Sequence, residues 1–205
     1  MTATTSLPWL IGEVFVDFTI TPRGSENKLR LGGIAHAARG FWAMGQPFRA
    51  AAVLPTYLEK ATRDYFATLG CVELIVMGVV TGAPNVTVLF DATEVADQGY
   101  ETLLREEKVV QLNNVSAAFA QAEQVLIFPG SFSLVSVCAM LPAQARLHLD
   151  AAYDVETPDS LASLGREIET LLISTSSPLF ANLSNQSLEG VAAAFTGSKP
   201  KYVVL

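Results

Sequence analysis

The chain has 205 residues, 50% of them apolar and 16% charged, with 13 Lys and Arg against 20 Asp and Glu and a formal net charge of −7 at pH 7. A sequence pI near 4.8 excludes a phosphate-tracking nucleic-acid surface, which needs a surplus of cations. The length suits one large domain, 1–205, without an internal boundary. A mean hydropathy of +0.36 and a charged fraction below the roughly 25% of ordinary soluble domains ask for a sheet buried on both faces, or a surface covered by something else.

The opening "MTATTSLPWLIGEVF" has neither a basic start nor a long apolar stretch, so it does not read as a secretory signal and a cytoplasmic location is expected. Strand-like and helix-like runs then alternate: "LPWLIGEVFVDF", "IAHAARGFWAMG", "PFRAAAVL", "YLEKATRDYFATLG" and "CVELIVMGVV". They continue with "QVLIFPG", "SLVSVCAML", "ARLHLD", a polar connection with a short helical segment, "IETLLIST", "SLEGVAAAF" and "KYVVL". Strands followed by helices along the whole length predict an α/β fold with a doubly wound, mostly parallel sheet. The uncharged run Gln124–Ala145 is broken by Pro129-Gly130-Ser131 and reads as strand, turn and helix, so no membrane span is expected. Cys71 and Cys138 lie far apart among apolar neighbours, as reduced core thiols do. The sequons at Asn85, Asn114, Asn182 and Asn185 are then chance matches.

Two segments interrupt the alternation. "TITPRGSENKLRL" reads as an excursion with a return strand, and the stretch from Val79 to Asn114 carries "NVTVLF" and "KVVQL" around a polar middle. Both predict antiparallel ribbons, at about 19–31 and 83–112, forming a small β-ribbon lid, because long polar loops usually cover a site.

Ligands of open α/β sheets bind beyond the carboxyl ends of the strands. In "WLIGEVFVDF", Glu13, Phe15 and Asp17 share one face, and Asp17 stands near the strand's exit, where a carboxylate either accepts hydrogen bonds from sugar hydroxyls or caps a turn. Gly32 and Gly33 precede a helix; they either expose backbone N–H groups to an oxygen-rich ligand or simply permit a sharp turn. His36 follows in the first turn. The spacing "GGIAHAARG" is not the dinucleotide fingerprint, and phosphate-loop, nucleophile-elbow and H-E-x-x-H motifs are absent.

Together "IGEVFVDF", "LGGIAHAARGFWAMG" and "GAPNVTVLFD" resemble the amino-terminal part of the ribokinase-like (PfkB) family of carbohydrate and nucleoside kinases. That family has a first strand ending G-E-x-x-x-D, a lid excursion, and a G-G-x-x-x-N-x-A helix start. The resemblance implies that Asp17 holds sugar hydroxyls, that Gly32 and Gly33 line the substrate floor, and that Asn27–Leu31 and Asn85–Phe90 form the lid, with Asn85 among the substrate-binding residues. His36 stands where the family usually has asparagine, and imidazole lacks the amide's paired donor and acceptor.

The resemblance also implies ATP and Mg²⁺ as phosphoryl donor and cofactor, a small-molecule sugar or nucleoside as acceptor, and a homodimer through the lid as one assembly. Yet "STSSPLFANL" offers no carboxylate where the family orders its metal, and no G-A-G-D segment with the catalytic aspartate occurs in this sequence. The expectation is therefore a ribokinase-like chain short of its carboxyl-terminal portion, without catalytic or metal residues of its own and without appreciable turnover alone. A non-catalytic sugar-binding or dimerising relative is the second reading, and an unrelated doubly wound domain the third.

Overall fold

A computed structural model of the chain describes residues 6–20, 28–90, 93–94, 107–128, 130–151, 155, 157–174, 177–195, 197 and 200–204. The chain folds as two compact units, one of Gly12–Asn113 and one of Met1–Ile11 with Asn114–Leu205. Its strands are β1 (Trp9–Glu13), β2 (Val16–Ile20), β3 (Lys28–Leu31), β4 (Phe48–Leu54), β5 (Cys71–Thr81), β6 (Val86–Phe90), β7 (Thr93–Glu94), β8 (Val109–Leu112), β9 (Gln124–Ile127), β10 (Arg146–Ala151), β11 (Ile168–Ile173) and β12 (Tyr202–Val204). The described α-helices are α1 (Ile34–Ala43), α2 (Glu59–Thr68), α3 (Leu134–Met140), α4 (Pro158–Ala162), α5 (Pro178–Leu183) and α6 (Leu188–Ala194).

The fold is α/β, with an eight-stranded sheet in the order β12-β11-β10-β9-β1-β4-β5-β8 and a smaller one in the order β3-β2-β6-β7. In the large sheet β1–β9, β9–β10, β10–β11, β11–β12 and β4–β5 are parallel pairs, and β8 runs antiparallel to β5. Strands this apolar, such as β1 with all five residues buried, have the composition of a sheet covered on both faces.

In the unit Gly12–Asn113, β4 is buried through Ala50-Ala51-Ala52-Val53-Leu54, and α2 drops Phe66 against Phe48, ring centroids 6.2 Å apart. Thr62 and Phe66, four residues apart on α2, form its buried stripe, while Glu59–Arg63 and Lys60–Asp64 pair on its wet face. Helix α1 buries Ile34, Ala35 and Ala38 and stops at Met44-Gly45, Gly45 having φ +65°.

Two expectations need correction here. The segment "WLIGEVFVDF" is two strands: β1 ends at Glu13, Val14 N donates to Val53 O (2.9 Å), and Val16 N donates to Asn85 O (2.8 Å). At Val14-Phe15 the chain thus changes hydrogen-bond partners from β4 to the start of β6, and Asp17 belongs to the small sheet. The apolar-polar alternation continues unbroken across this step, which is why it reads as one strand.

The second ribbon differs as well. The first is as expected, β2 and β3 pairing antiparallel with Asp17 opposite Arg30, although its turn at 21–27 lies outside the described residues. In the second, β6 pairs with β7, whereas β8 joins β5 from Gly78–Leu112 to Thr81–Val109. Strand β5 is 11 residues long and would otherwise present an open edge; Gly78, without a side chain, lets Leu112 approach to 3.0 Å of its Cβ position. The expected polar middle at 95–106 is likewise outside the described residues.

In the other unit, Trp9 meets Phe119 edge to face at 4.9 Å and Leu147, Leu149, Ile168 and Leu171 fill the core. The run 124–145 resolves into β9, a turn region and α3, and no described helix is long and apolar enough to cross a membrane. Arg166 gathers the frayed end of α3, its Nη1 donating to Cys138 O (3.0 Å) and its Nη2 to Pro142 O (2.8 Å) and Ala145 O (3.1 Å).

Burial pushes the Cys138 thiol up to about 11, against the opposing charge of Arg166. At pH 8 the thiolate is then about one part in a thousand of Cys138. Burial also raises the Cys71 thiol. The native protein at pH 8 is expected to react slowly with an aromatic disulfide reagent and to yield both thiols at once in denaturant. Rapid labelling of Cys138 in the folded protein would contradict its burial.

Candidate functional site

The unit Gly12–Asn113 brings Asp17, Gly32, Gly33 and His36 together. Asp17 lies on β2 and is only 4% exposed. A buried carboxylate requires partners, and it has them on one oxygen: His36 Nε2 is 2.8 Å from Oδ2, and Arg30 Nε is 3.5 Å from the same atom. The Arg30 contact follows from register, since Arg30 is the cross-strand partner of Asp17.

Gly32 lies directly beneath this carboxylate. A Cβ there would overlap Asp17 Oδ1 and stand 2.6 Å from Oδ2. Gly32 N donates to Phe15 O (3.0 Å), tying the glycine to the β1–β2 step. Gly33 has φ +60°, and its Cβ would overlap the carbonyl oxygen of Glu13 and come within 2.7 Å of the Phe15 ring. It caps α1 with no side-chain hydrogen bond. Of the two alternatives, the positive φ of Gly33 is the sharp entry turn, while the Gly32 N–H is committed to Phe15 O.

Asn85 is placed differently from the other four. Fully buried, it donates from Nδ2 to Val14 O (2.6 Å) while its own carbonyl accepts from Val16 N. It braces the step between β1 and β2 rather than reaching the Asp17 carboxylate, and its Oδ1 has no hydrogen-bond partner among the described residues.

Two participants are not evident in the sequence motif. Arg39 Nη1 donates to His36 Nδ1 (2.7 Å), its Nη2 to Leu31 O (2.6 Å) and its Nε to Tyr65 Oη (2.8 Å). Lys108 Nζ sits 3.3 Å from Glu13 Oε1, with side-chain exposures of 5% and 0%, and 4.7 Å from the Phe15 ring centroid. Arg39 could have been found from the i, i+3 spacing to His36. Lys108, 95 residues from Glu13, has no local signal.

Among the described residues no group of three His, Cys, Asp or Glu side chains is placed to hold a metal ion. At the carboxyl end of β11 the described residues are Ser174 and Ser177, and the Ser177 hydroxyl accepts from Phe180 N as the cap of α5. A groove lined by Arg146, Arg166, Glu169 and Lys201 lies at the amino ends of β10, β11 and β12, the wrong end for the ligand crevice of such a sheet.

This strand order, with a small sheet inserted after the first strand and a glycine pair opening α1 under an acidic residue, is the ribokinase-like (PfkB) fold. Protein-family models and curated proteins give no match to the sequence. Solved structures do. A fructokinase with bound ATP from Xylella fastidiosa is similar at a TM-score of 0.63 and 14% identity over 97% of this chain and 68% of that one. The tetrameric inhibited form of phosphofructokinase-2 from Escherichia coli is similar at 0.60 and 13%, over 97% and 73%. A pyrophosphate-dependent kinase in the ribokinase family, complexed with a pyrophosphate analog and myo-inositol, is similar at 0.54 and 14%, over 82% of this chain. The chain spans 61% of the length of that last kinase. Likeness at these identities is likeness of fold.

Proposed function

We propose that Gly12–Asn113 is the acceptor-binding and lid portion of a carbohydrate or nucleoside kinase of the ribokinase-like kind, whose full reaction moves a phosphoryl group from ATP, with Mg²⁺, to a sugar hydroxyl. The observation that carries this reading is the Asp17 carboxylate, 4% exposed and resting on the bare α-carbon of Gly32 at the start of α1. A carboxylate held there accepts a hydrogen bond from an acceptor hydroxyl, and the small sheet β3-β2-β6-β7 that carries Asp17 serves as the lid.

The described residues do not fit the phosphoryl donor or its metal. The two carboxylates of the site are engaged, Glu13 by Lys108 and Asp17 by His36 and Arg30, and no third acid joins them among the described residues. The chemistry assigned to the described residues is binding and orienting the acceptor. His36 at the family's asparagine position and the unacidic "STSSPLF" favour, as the second reading, a sugar-binding relative that does not catalyse. A homodimer through the small sheet suits either reading: Leu29 of β3 is 71% exposed.

The isosteric Asp17→Asn substitution tests the site. Loss of a charge-assisted hydrogen bond is worth about 1.5–3 kcal/mol, so acceptor affinity should fall roughly 10–150-fold. Titration calorimetry against a panel of hexoses, pentoses, inositols and nucleosides measures it, and an undiminished affinity removes Asp17 from the site. Melting-temperature shifts separate the two readings: a rise with sugar and with Mg-ATP supports the kinase, a rise with sugar alone the binder.

A further inference from the structure

We infer that Arg39 is a positioning residue that acts through His36 on Asp17, fixing the imidazole as the Nε2–H tautomer and leaving Asp17 Oδ1 as the carboxylate oxygen that meets the acceptor. The last clause rests on the acceptor-site reading; the tautomer does not.

The argument is one of donors and acceptors. A guanidinium has five N–H donors and no acceptor. Arg39 Nη1 at 2.7 Å from His36 Nδ1 therefore donates, and Nδ1 carries the lone pair. The ring proton is then on Nε2, which donates to Asp17 Oδ2 at 2.8 Å. Turning the ring over would set carbon atoms against both partners, so the two contacts also fix its orientation.

Arg39 is itself held on three sides, by His36, by the Leu31 carbonyl at the end of β3, and by the Tyr65 hydroxyl on α2. His36 is half exposed, with 50% of its side chain accessible, yet both ring nitrogens are committed. It is consequently no free base. Its Nδ1 is covered, and its Nε2 can only give a hydrogen bond.

The consequence falls on Asp17. Oδ2 accepts from His36 at 2.8 Å and has the Arg30 guanidinium beside it, Nε 3.5 Å away, as a counter-charge. Oδ1, over Gly32, has no hydrogen-bond partner among the described residues. An acceptor hydroxyl therefore meets Oδ1 first, whereas a clasp that also used Oδ2 would have to share that oxygen with His36.

The protein contains two histidines, His36 and His148, so a long-range ¹H–¹⁵N spectrum of the full chain resolves both rings, and His36→Asn assigns them. The wild type should show His36 with a protonated Nε2 and a bare Nδ1. In Arg39→Met, which keeps length and loses the donors, the two nitrogens should move toward averaged shifts; Arg39→Lys, with a donor at nearly the same reach, should restore the wild-type pattern. A wild-type His36 protonated at Nδ1, or an Arg39→Met spectrum identical to wild type, overturns the tautomer assignment. If Arg39→Met fails to fold, the wild-type and Arg39→Lys spectra decide it.

The second arm uses D-fructose and myo-inositol as probes. Arg39→Met should raise the dissociation constant of the bound probe roughly 2–10-fold, the worth of one ordinary hydrogen bond, with Arg39→Lys recovering it. An unchanged constant beside an altered tautomer overturns the positioning role. If wild type binds neither these probes nor any member of the wider panel, the acceptor-site reading fails with it, while the spectra still judge the tautomer.

Discussion

Replacing Lys108 by Met is expected to destabilise the protein by about 3–5 kcal/mol, the usual result of stranding one member of a buried ion pair. The Glu13 side chain has no exposure and Lys108 only 5%, with Nζ 3.3 Å from Oε1. Taking away the ammonium leaves a carboxylate in the interior without this counter-charge, and also removes the cation above the Phe15 ring. For a chain of this size the loss corresponds to a fall in Tm of roughly 6–20 °C.

Glu13→Gln should be less severe, because the amide still accepts a hydrogen bond from Lys108, although the ammonium then lacks its counter-charge. The double substitution Glu13→Gln with Lys108→Met removes both charges and should recover much of the loss, since a buried pair as a whole contributes little against an uncharged replacement. Urea unfolding of the four proteins measures the coupling. Simple additivity, or a Lys108→Met cost below about 1 kcal/mol, would show that water reaches the pair.

The position of this pair matters for the site. The Glu13 carbonyl is the atom that forbids a side chain at Gly33, and Phe15 lies between the two. Lys108, from the segment that leads into β8, thus secures the backbone on which α1 begins. Damage there should reach the acceptor site through position rather than through contact.

How much of this was legible beforehand depends on the range of each interaction. Asp17, Gly32, Gly33 and His36 lie within 20 residues of one another, and the short return strand β3 brings them together by register; the motif order carried that information. Arg30 was implicit in the same register. Arg39 needed only helical spacing.

Lys108 was not legible, because its meeting with Glu13 depends on where β8 joins the large sheet, and its alternating pattern fits a ribbon partner as well as the edge of β5. The break at Val14-Phe15 was hidden for a related reason. Val14, Val16 and Phe18 satisfy a strand pattern whichever partner each segment takes, and the deciding contact, Asn85 Nδ2 on Val14 O, spans 71 residues. Helix α5, by contrast, announces itself locally, with a Ser177 cap and Pro178 at its first position.

The two glycines offer the sharpest separation of stability from binding. Alanine at Gly33 meets a backbone oxygen and a ring, at a positive φ of +60°. Nothing flexible stands in its way to yield. The left-handed conformation costs a non-glycine residue about 1–2 kcal/mol, and overpacking against fixed atoms about 1–3 more; Gly33→Ala should lose about 2–5 kcal/mol in urea unfolding.

Alanine at Gly32 meets only the end of one side chain, the Asp17 carboxylate, at an ordinary backbone conformation. That carboxylate can swing aside at modest cost, breaking its contacts with His36 and Arg30. Gly32→Ala should therefore keep most of its Tm and lose acceptor affinity to about the extent of Asp17→Asn, roughly 10–150-fold. Affinity retained in Gly32→Ala would detach the carboxylate from the acceptor, whereas a Tm loss equal to that of Gly33→Ala would mean that Asp17 is held as rigidly as the backbone, its bonds to His36 and Arg30 belonging to the fold before they belong to the site.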